Sequence, residues 1–387
     1  MYRKIAAWLI ILAMIPATGA LAEETATIAE NADAKADVLA QVTELSLEDA
    51  IKLGLDKNPQ LEAADAKIRS SEFALETAKL NQKEFNSLNN RYSVAVDTAN
   101  SMETAYLKHG YYPVAAQAAI DLAVMAKQQV ESQINYNVTE KYFNVKRLEQ
   151  LVEISRSSLQ IANDNADIVK KQFELGLASK LEVQNVEASV ESAAFTLESY
   201  KRNLELAAEG LKIAIQKEDS DEIFVLTDEI ALPEMPALPD TVMEMALESR
   251  YDVIALKKAY ELQEMYFNIT GLYVLEDTSK YQSVYADTLS AKYTYENTAK
   301  QLALAIRNEY AAVLTAGESI LSAQNALNVK QIEFDSNKIK YEMGLITNLQ
   351  LTTTMAELEN CKVQLENANL SYMLAVEKYN YDITIGI

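Results

Sequence analysis

The sequence predicts an all-α fold made of duplicated long antiparallel helical hairpins, with β-strands minimal or absent. Three observations predict it. Only nine Gly and six Pro occur in 387 residues, so few positions can turn or break a helix. FELGLASKLEVQNVEASVE (173–191) is answered by YEMGLITNLQLTTTMAELE (341–359) at an offset of 168 residues, which signals an internal repeat. Upstream of each of those glycines runs an apolar series spaced by seven: Val138, Val145, Val152, Leu159, Ala166, Phe173, and again Ile306, Val313, Ile320, Leu327, Phe334, Tyr341. A period of seven held over six positions specifies a left-handed supercoiled helix seam.

The elements follow in order. Residues 1–22, MYRKIAAWLIILAMIPATGALA, combine basic Arg3 and Lys4, an apolar run and the small-x-small site Ala20-Leu21-Ala22. This is the pattern of a secretory signal peptide; an uncleaved anchor is the alternative, since the run could almost span a bilayer. Its removal would leave 365 residues with a net charge of −24, because Arg3 and Lys4 leave with it. Residues 23–44, rich in Ala, Glu, Asp and Thr, read as a flexible lead-in.

A first repeat is expected over 45–231, with an outgoing helix over 61–107, a distal turn at Gly110 and Pro113, a return helix to 174, a break at Gly176 and a further helix over 180–216. LPEMPALPD (232–240) holds three of the six prolines and links the repeats. The second repeat, 241–387, mirrors the first: an outgoing helix over 252–268, a turn at Gly271, a return helix over 285–343, a break at Gly344 and a last helix over 349–382. A second match, at an offset of 192, pairs GLDKNPQLEAA (54–64) with ALESRYDVIAL (246–256), so the first copy is 24 residues longer between its markers. In the companion seam Leu148, Ala162 and Val169 fit, whereas Ser155, Lys330 and Asn337 do not. Rods this slender bury little by themselves, which implies oligomerisation.

Composition narrows the function. One Cys (Cys361) and one His (His109) leave no disulfide, no thiolate cage and no His-clustered zinc site. A net charge of −22 repels phosphate backbones, which disfavours nucleic acid and leaves proteins or cations as partners. No Walker loop, dinucleotide fingerprint or HExxH occurs, so no cofactor or metal is implied and an enzyme is not expected. The acidic run KEDSDE (217–222) lacks the spacing and the Gly of a calcium loop.

LSLEDAIKLGLDKNPQLEAA (45–64), FELGLASKLEVQNVEA (173–188), RYDVIAL (250–256) and YEMGLITNLQL (341–351) resemble the four recurrent signatures of the TolC family of outer-membrane efflux proteins. The resemblance runs from about residue 45 to the C-terminus. It implies a homotrimer whose helices build a twelve-membered α-barrel, capped by an outer-membrane β-barrel, carrying small molecules or polypeptides from an inner-membrane pump through a periplasmic adaptor. It places Gly176, Leu177 and Ser179, with Gly344, Leu345 and Thr347, at the periplasmic tip where the adaptor docks. Turn chemistry alone also accounts for them: glycine allows a left-handed corner and a hydroxyl three residues on caps the next helix. The family's gate positions correspond to Tyr341 and Glu182, which as residues could equally pack and face solvent; the basic residue often found after the second glycine is Ile346 here.

One departure stands out. The stretches 86–113 and 268–289, where the family has membrane-spanning strands, contain only 92–96 and 272–275 as strand-like pieces, too short to span. Tyrosine concentrates there (Tyr106, Tyr111, Tyr112, Tyr266, Tyr273, Tyr281, Tyr285), as an interfacial belt or as packing between helices. A non-pore coiled-coil envelope scaffold that docks an adaptor is therefore the rival to an efflux duct.

Overall fold

A computed structural model describes residues 42–92, 102–220 and 222–387. The expected leader 1–22, the lead-in up to residue 41, the strand-like piece beyond Tyr92 and Asp221 of the acidic run lie outside the described residues. The chain divides into two compact units. One comprises Thr43–Ser220 with Phe224–Ile387 and holds every helix below; of the other, Met1–Val42 with Asp221–Ile223, only strand-end residues and Glu222 are described.

The described elements are β1 (Val42–Leu45), α1 (Leu47–Leu55), α2 (Pro59–Tyr92), α3 (Met102–Lys108), α4 (Tyr111–Glu174), α5 (Lys180–Ala214), β2 (Ile223–Leu226), α6 (Pro239–Ser249), α7 (Tyr251–Gly271), α8 (Ser279–Glu342) and α9 (Asn348–Asp382). The repeat is exact in register. α4 and α8 are both 64 residues long and α5 and α9 both 35, each pair starting 168 apart. At ~1.5 Å per residue α4 and α8 are about 96 Å long. α1 and α6, and α2 and α7, start 192 apart. The 24 additional residues of the first copy therefore fall between the start of α2 and the start of α4, where α2 runs on past the length of α7 and α3 is added.

Local chemistry sets these boundaries. Gly110 at φ 70 turns into α4, and Pro113 occupies its third position, where a missing N–H costs nothing. Pro239 opens α6 with its fixed φ. Several expectations change. The outgoing helix expected over 61–107 is described as α2, which begins at Pro59, and α3, over Met102–Lys108; the residues between them lie outside the described ones. The second return helix begins at Ser279 rather than 285 because Thr278 caps it, accepting from the Tyr281 N–H. No strand forms at 272–275: Leu272, Tyr273 and Val274 spend their N–H groups on the carbonyls of Ile269 and Thr270 as α7 unwinds. Residues 42–44, placed in the lead-in, belong to β1, which pairs with β2 in a two-stranded sheet.

Packing contacts order the helices as α5, α4, α9, α8 in one half and α2, α4, α7, α8 in the other. α4 is thus flanked on both sides, and its seam residues Val138, Val145, Val152 and Ala166 are buried. α8 lies at an edge, where Ile306 and Val313 are buried but Ile320, Leu327 and Phe334 only partly. The polar exceptions in the seams are cross-helix links. Ser155 Oγ donates to Glu359 (3.3 Å), Asn337 Nδ2 to Thr354 Oγ1 (2.9 Å), and the Lys330 ammonium to Glu357 and Glu333 (2.7 and 2.9 Å).

Two apolar cores sit midway along the long helices. In the first, Leu45, Ala50, Val138, Tyr142, Leu211, Ile215 and Leu226 gather around α4, and the buried Tyr142 hydroxyl is satisfied by Leu45 O (2.9 Å) and Asp228 (3.0 Å). In the second, Ala246, Val253, Ile306, Val376 and Tyr379 gather around α8, Ile306 and Tyr379 being the repeat equivalents of Val138 and Leu211. Arg250, the first residue of RYDVIAL, fastens the α6–α7 junction to the end of α9 by forking onto Asp252 (2.9 Å) and Asp382 (2.7 Å). At the distal end Tyr106 stacks on Tyr266 (4.4 Å) and bonds Thr270 (3.1 Å), and His109 meets the Tyr273 hydroxyl (3.0 Å). These tyrosines pack α3 against α4 and α7. Among the described residues no helix is long and apolar enough to cross a membrane.

Two outcomes follow. A Cβ on Gly54 would lie 2.8 Å from Val138 Cγ2 and 3.2 Å from Ala214 O, whereas the equivalent position of the second copy carries a fully buried alanine, Ala246. Gly54→Ala gains up to ~1 kcal/mol of helix propensity but overpacks at a cost of ~1–3 kcal/mol. It should therefore lower stability by about 1 kcal/mol, read from the denaturant midpoint. Glu309 has one carboxylate oxygen bonded to Lys378 (3.2 Å) and the other buried without a donor; burial first, then the Asp382 carboxylate, raise its pKa to about 7. A carboxyl raised in the folded state favours folding below its unfolded value and loses that contribution as pH rises from 4.5 towards 7. Glu309→Gln should accordingly stabilise the protein more near neutral to alkaline pH than in acid, by ~1–2 kcal/mol after allowing for partial exposure; equal effects in melts across that range would contradict it.

Candidate functional site

The two helix-to-helix corners, 175–179 and 343–347, lie at one end of the unit and are built alike. Gly176 (φ 77) and Gly344 (φ 72) take the left-handed conformation. Leu177 N–H reaches back to Gln172 O (2.8 Å) and Gly176 N–H to Phe173 O (2.9 Å); Leu345 and Gly344 repeat this on Lys340 and Tyr341. This is the double backbone bond of a Schellman motif, which ends a helix on a residue that prefers to be glycine. Three residues later a capping box starts the next helix. Ser179 Oγ accepts from Glu182 N–H (3.2 Å) while the Glu182 carboxylate accepts from Ser179 N–H (2.6 Å). Thr347 and Gln350 do the same (3.3 and 3.0 Å).

What each corner offers outward is apolar. Leu177 is 76% exposed and Leu345 68%, and beside them stand Leu175 and Leu181 in one corner, Met343 and Leu349 in the other. These four equivalents, each pair 168 apart, escaped the reading of the sequence, because a leucine at a helix end looks the same whether it packs or projects. Six large apolar side chains held out on rigid corners form a surface suited to a protein partner.

The corners are tied to each other. Tyr341 packs on Ala166, Val169 and Val186, and its hydroxyl donates to Gln172 Oε1 (3.5 Å). Asn348 Nδ2 donates to Asn165 Oδ1 (2.8 Å), both side chains being buried. Tyr341 and Glu182 are not each other's partners within the chain: the carboxylate is turned onto Ser179. Ile346 is half-buried. The bond from the Ser179 N–H holds the Glu182 carboxyl below its ordinary value. No group of three metal-ligating side chains lies together among the described residues.

No family model and no curated protein matches the chain. Solved structures do match. A membrane protein from Pseudomonas aeruginosa shares 12% identity over 86% of this chain and 90% of its own, with a TM-score of 0.70. The outer membrane protein VceC from Vibrio cholerae shares 15% over 88% and 96%, TM-score 0.68. The CmeC outer membrane channel of Campylobacter jejuni shares 15% over 86% and 84%, TM-score 0.63. The fold is TolC-like. At these identities the likeness is one of architecture.

The two capping boxes differ in one respect. Glu182 titrates and Gln350 does not, and a depressed carboxyl supports folding above its unfolded value and stops doing so as pH falls through its folded value. Hydrogen exchange of the 179–182 amides, corrected for intrinsic rates, should speed up below pH 4.5 while the 347–350 amides stay protected. Parallel behaviour of the two corners would show that the charge on Glu182 is irrelevant to the cap.

Proposed function

We propose that this chain is the duct component of an efflux assembly in the bacterial envelope: a homotrimer spanning the periplasm towards the outer membrane. Its tip, formed by Gly176, Leu177, Ser179, Gly344, Leu345 and Thr347, docks a periplasmic adaptor that joins it to an inner-membrane pump. Small molecules or polypeptides are the cargo. Tyr341 and Glu182 serve as gate residues by re-pairing between protomers when the tip closes.

The observation that carries the reading is a leftover seam. On the outward face of edge helix α8, Leu304, Leu314, Leu321, Ile332 and Ile339 are exposed, separated by steps of ten, seven, eleven and seven residues. Those steps fall within half a residue of multiples of 3.5, the period that seats a helix against a neighbour with left-handed winding. The opposite edge is apolar as well: Phe73 and Leu80 on α2, Phe195, Leu206 and Ile213 on α5. Two different edges joined head to tail generate a ring when the rotation closes, and four helices per copy give the twelve of a TolC-like barrel in three copies. Likeness of fold to outer membrane channels supports the same reading.

A second reading, a non-pore scaffold that docks the adaptor, is favoured by the distal end, where the described residues are helix, turn and packed tyrosines. Electron microscopy of the purified protein separates the two. Hollow rings of three copies are the expected outcome, and solid particles or monomers would sink the duct. Gly176→Leu combined with Gly344→Leu forces side chains into left-handed backbone at roughly 1–2 kcal/mol each. That pair should leave helix content unchanged while cutting cross-linking to the adaptor at least tenfold; undiminished cross-linking would refute the tip assignment.

A further inference from the structure

The inter-repeat segment is more than a connector. Pro233, Pro236 and Pro239 recur every third residue, the period of a polyproline II helix, and Leu238 has its dihedrals (φ −64, ψ 142). The segment has no hydrogen-bonded secondary structure. It is held instead by two tyrosines one heptad apart on α9: the Tyr372 hydroxyl donates to Pro233 O (3.3 Å) and the Tyr379 hydroxyl to Ala237 O (2.8 Å). Three residues per turn sort the side chains into three rows. The prolines are half-buried, whereas Leu232, Met235 and Leu238 are 48%, 51% and 58% exposed, and Glu234 is exposed in the third row. At ~3.1 Å per residue the outer row runs about 19 Å.

An extended apolar strip on a backbone already immobilised by tyrosines binds with little further loss of conformational entropy. The charge around it selects the partner. From Glu218 to Ser249 the chain carries ten Asp and Glu and no Lys or Arg. Asp228 is engaged by Tyr142 and Asp240 by Arg307, but Glu234 within the segment and Glu244 and Glu248 on α6, which follows it, stand exposed. A second copy of this chain would bring the same acidic surface.

We propose that residues 232–238 are a docking site for a different protein, one that presents an apolar, aromatic-lined groove to Leu232, Met235 and Leu238 and a Lys- or Arg-rich rim to the surrounding carboxylates. This contact lies away from the corners and does not depend on the duct reading.

The test places a photo-activatable phenylalanine at Met235 in the full chain, in its own cells, and identifies the cross-linked product by mass spectrometry. Two further chains carry the same probe with Leu232→Ser and Leu238→Ser, or with Glu234→Lys and Glu244→Lys. All four positions are exposed, so circular dichroism should match the parent. The expected result is one heterologous partner with an excess of basic residues, whose yield falls at least fivefold in each double variant. Adducts only between copies of this chain, an adduct indifferent to both double variants, or no adduct would each overturn the proposal.

Discussion

A helix of 64 residues has no interior of its own, and the need to cover α4 on both sides organises the chain. Val138, Tyr142, Val145, Leu148 and Leu151 leave almost nothing of themselves to solvent, each contributing on the order of 1.5–3 kcal/mol by burial. That coverage takes α5 and α9 in one half and α2 and α7 in the other, with α1 across the middle. The seven-residue spacing keeps these contacts in line over many turns because the helices wind left-handedly around one another. The price is that a polar group entering the seam must bring its partner, as Tyr142 does with Asp228 and Leu45.

Duplication gave both copies one plan, and position made them differ. α4 is inside the layer and α8 at its edge, so equivalent residues diverged in polarity. Buried Ala162 corresponds to Lys330, whose ammonium takes two carboxylates, and buried Val169 corresponds to Asn337, which bonds Thr354. The contrast reverses in the following helices. α9 lies between α4 and α8 and buries Leu351, Met355, Leu358, Met373 and Val376, whereas its equivalent α5, at the edge, buries Val186, Leu197 and Leu211. An edge still lined by leucine and phenylalanine at helical spacing is what supports the proposed closed assembly.

The corners show how far local chemistry reaches. Glycine before, hydroxyl after and acid or amide three further on specify a Schellman stop followed by a capping box, and both copies obey. The same grammar makes Glu182 a cap within the chain, so any gating duty would have to compete with the bond it already accepts from the Ser179 N–H. Between the repeats, the prolines that mark a boundary also stiffen the strip that Tyr372 and Tyr379 clamp.

Period and punctuation are properties of the chain, so the sequence by itself determined the all-α class, the repeat register, both glycine corners and the Pro-rich crossing. It did not determine β1 and β2, each four residues long and stable only against the α4 core. Nor did it determine the fate of 272–275, an apolar run that reads as a strand until α7 needs its N–H groups to finish. Which leucines project from the corners, and why Ser155, Lys330 and Asn337 interrupt the seams, only the tertiary structure decided. Exposure and cross-helix pairing depend on which helix lies next door, and that neighbour is 17 to 204 residues away in the sequence.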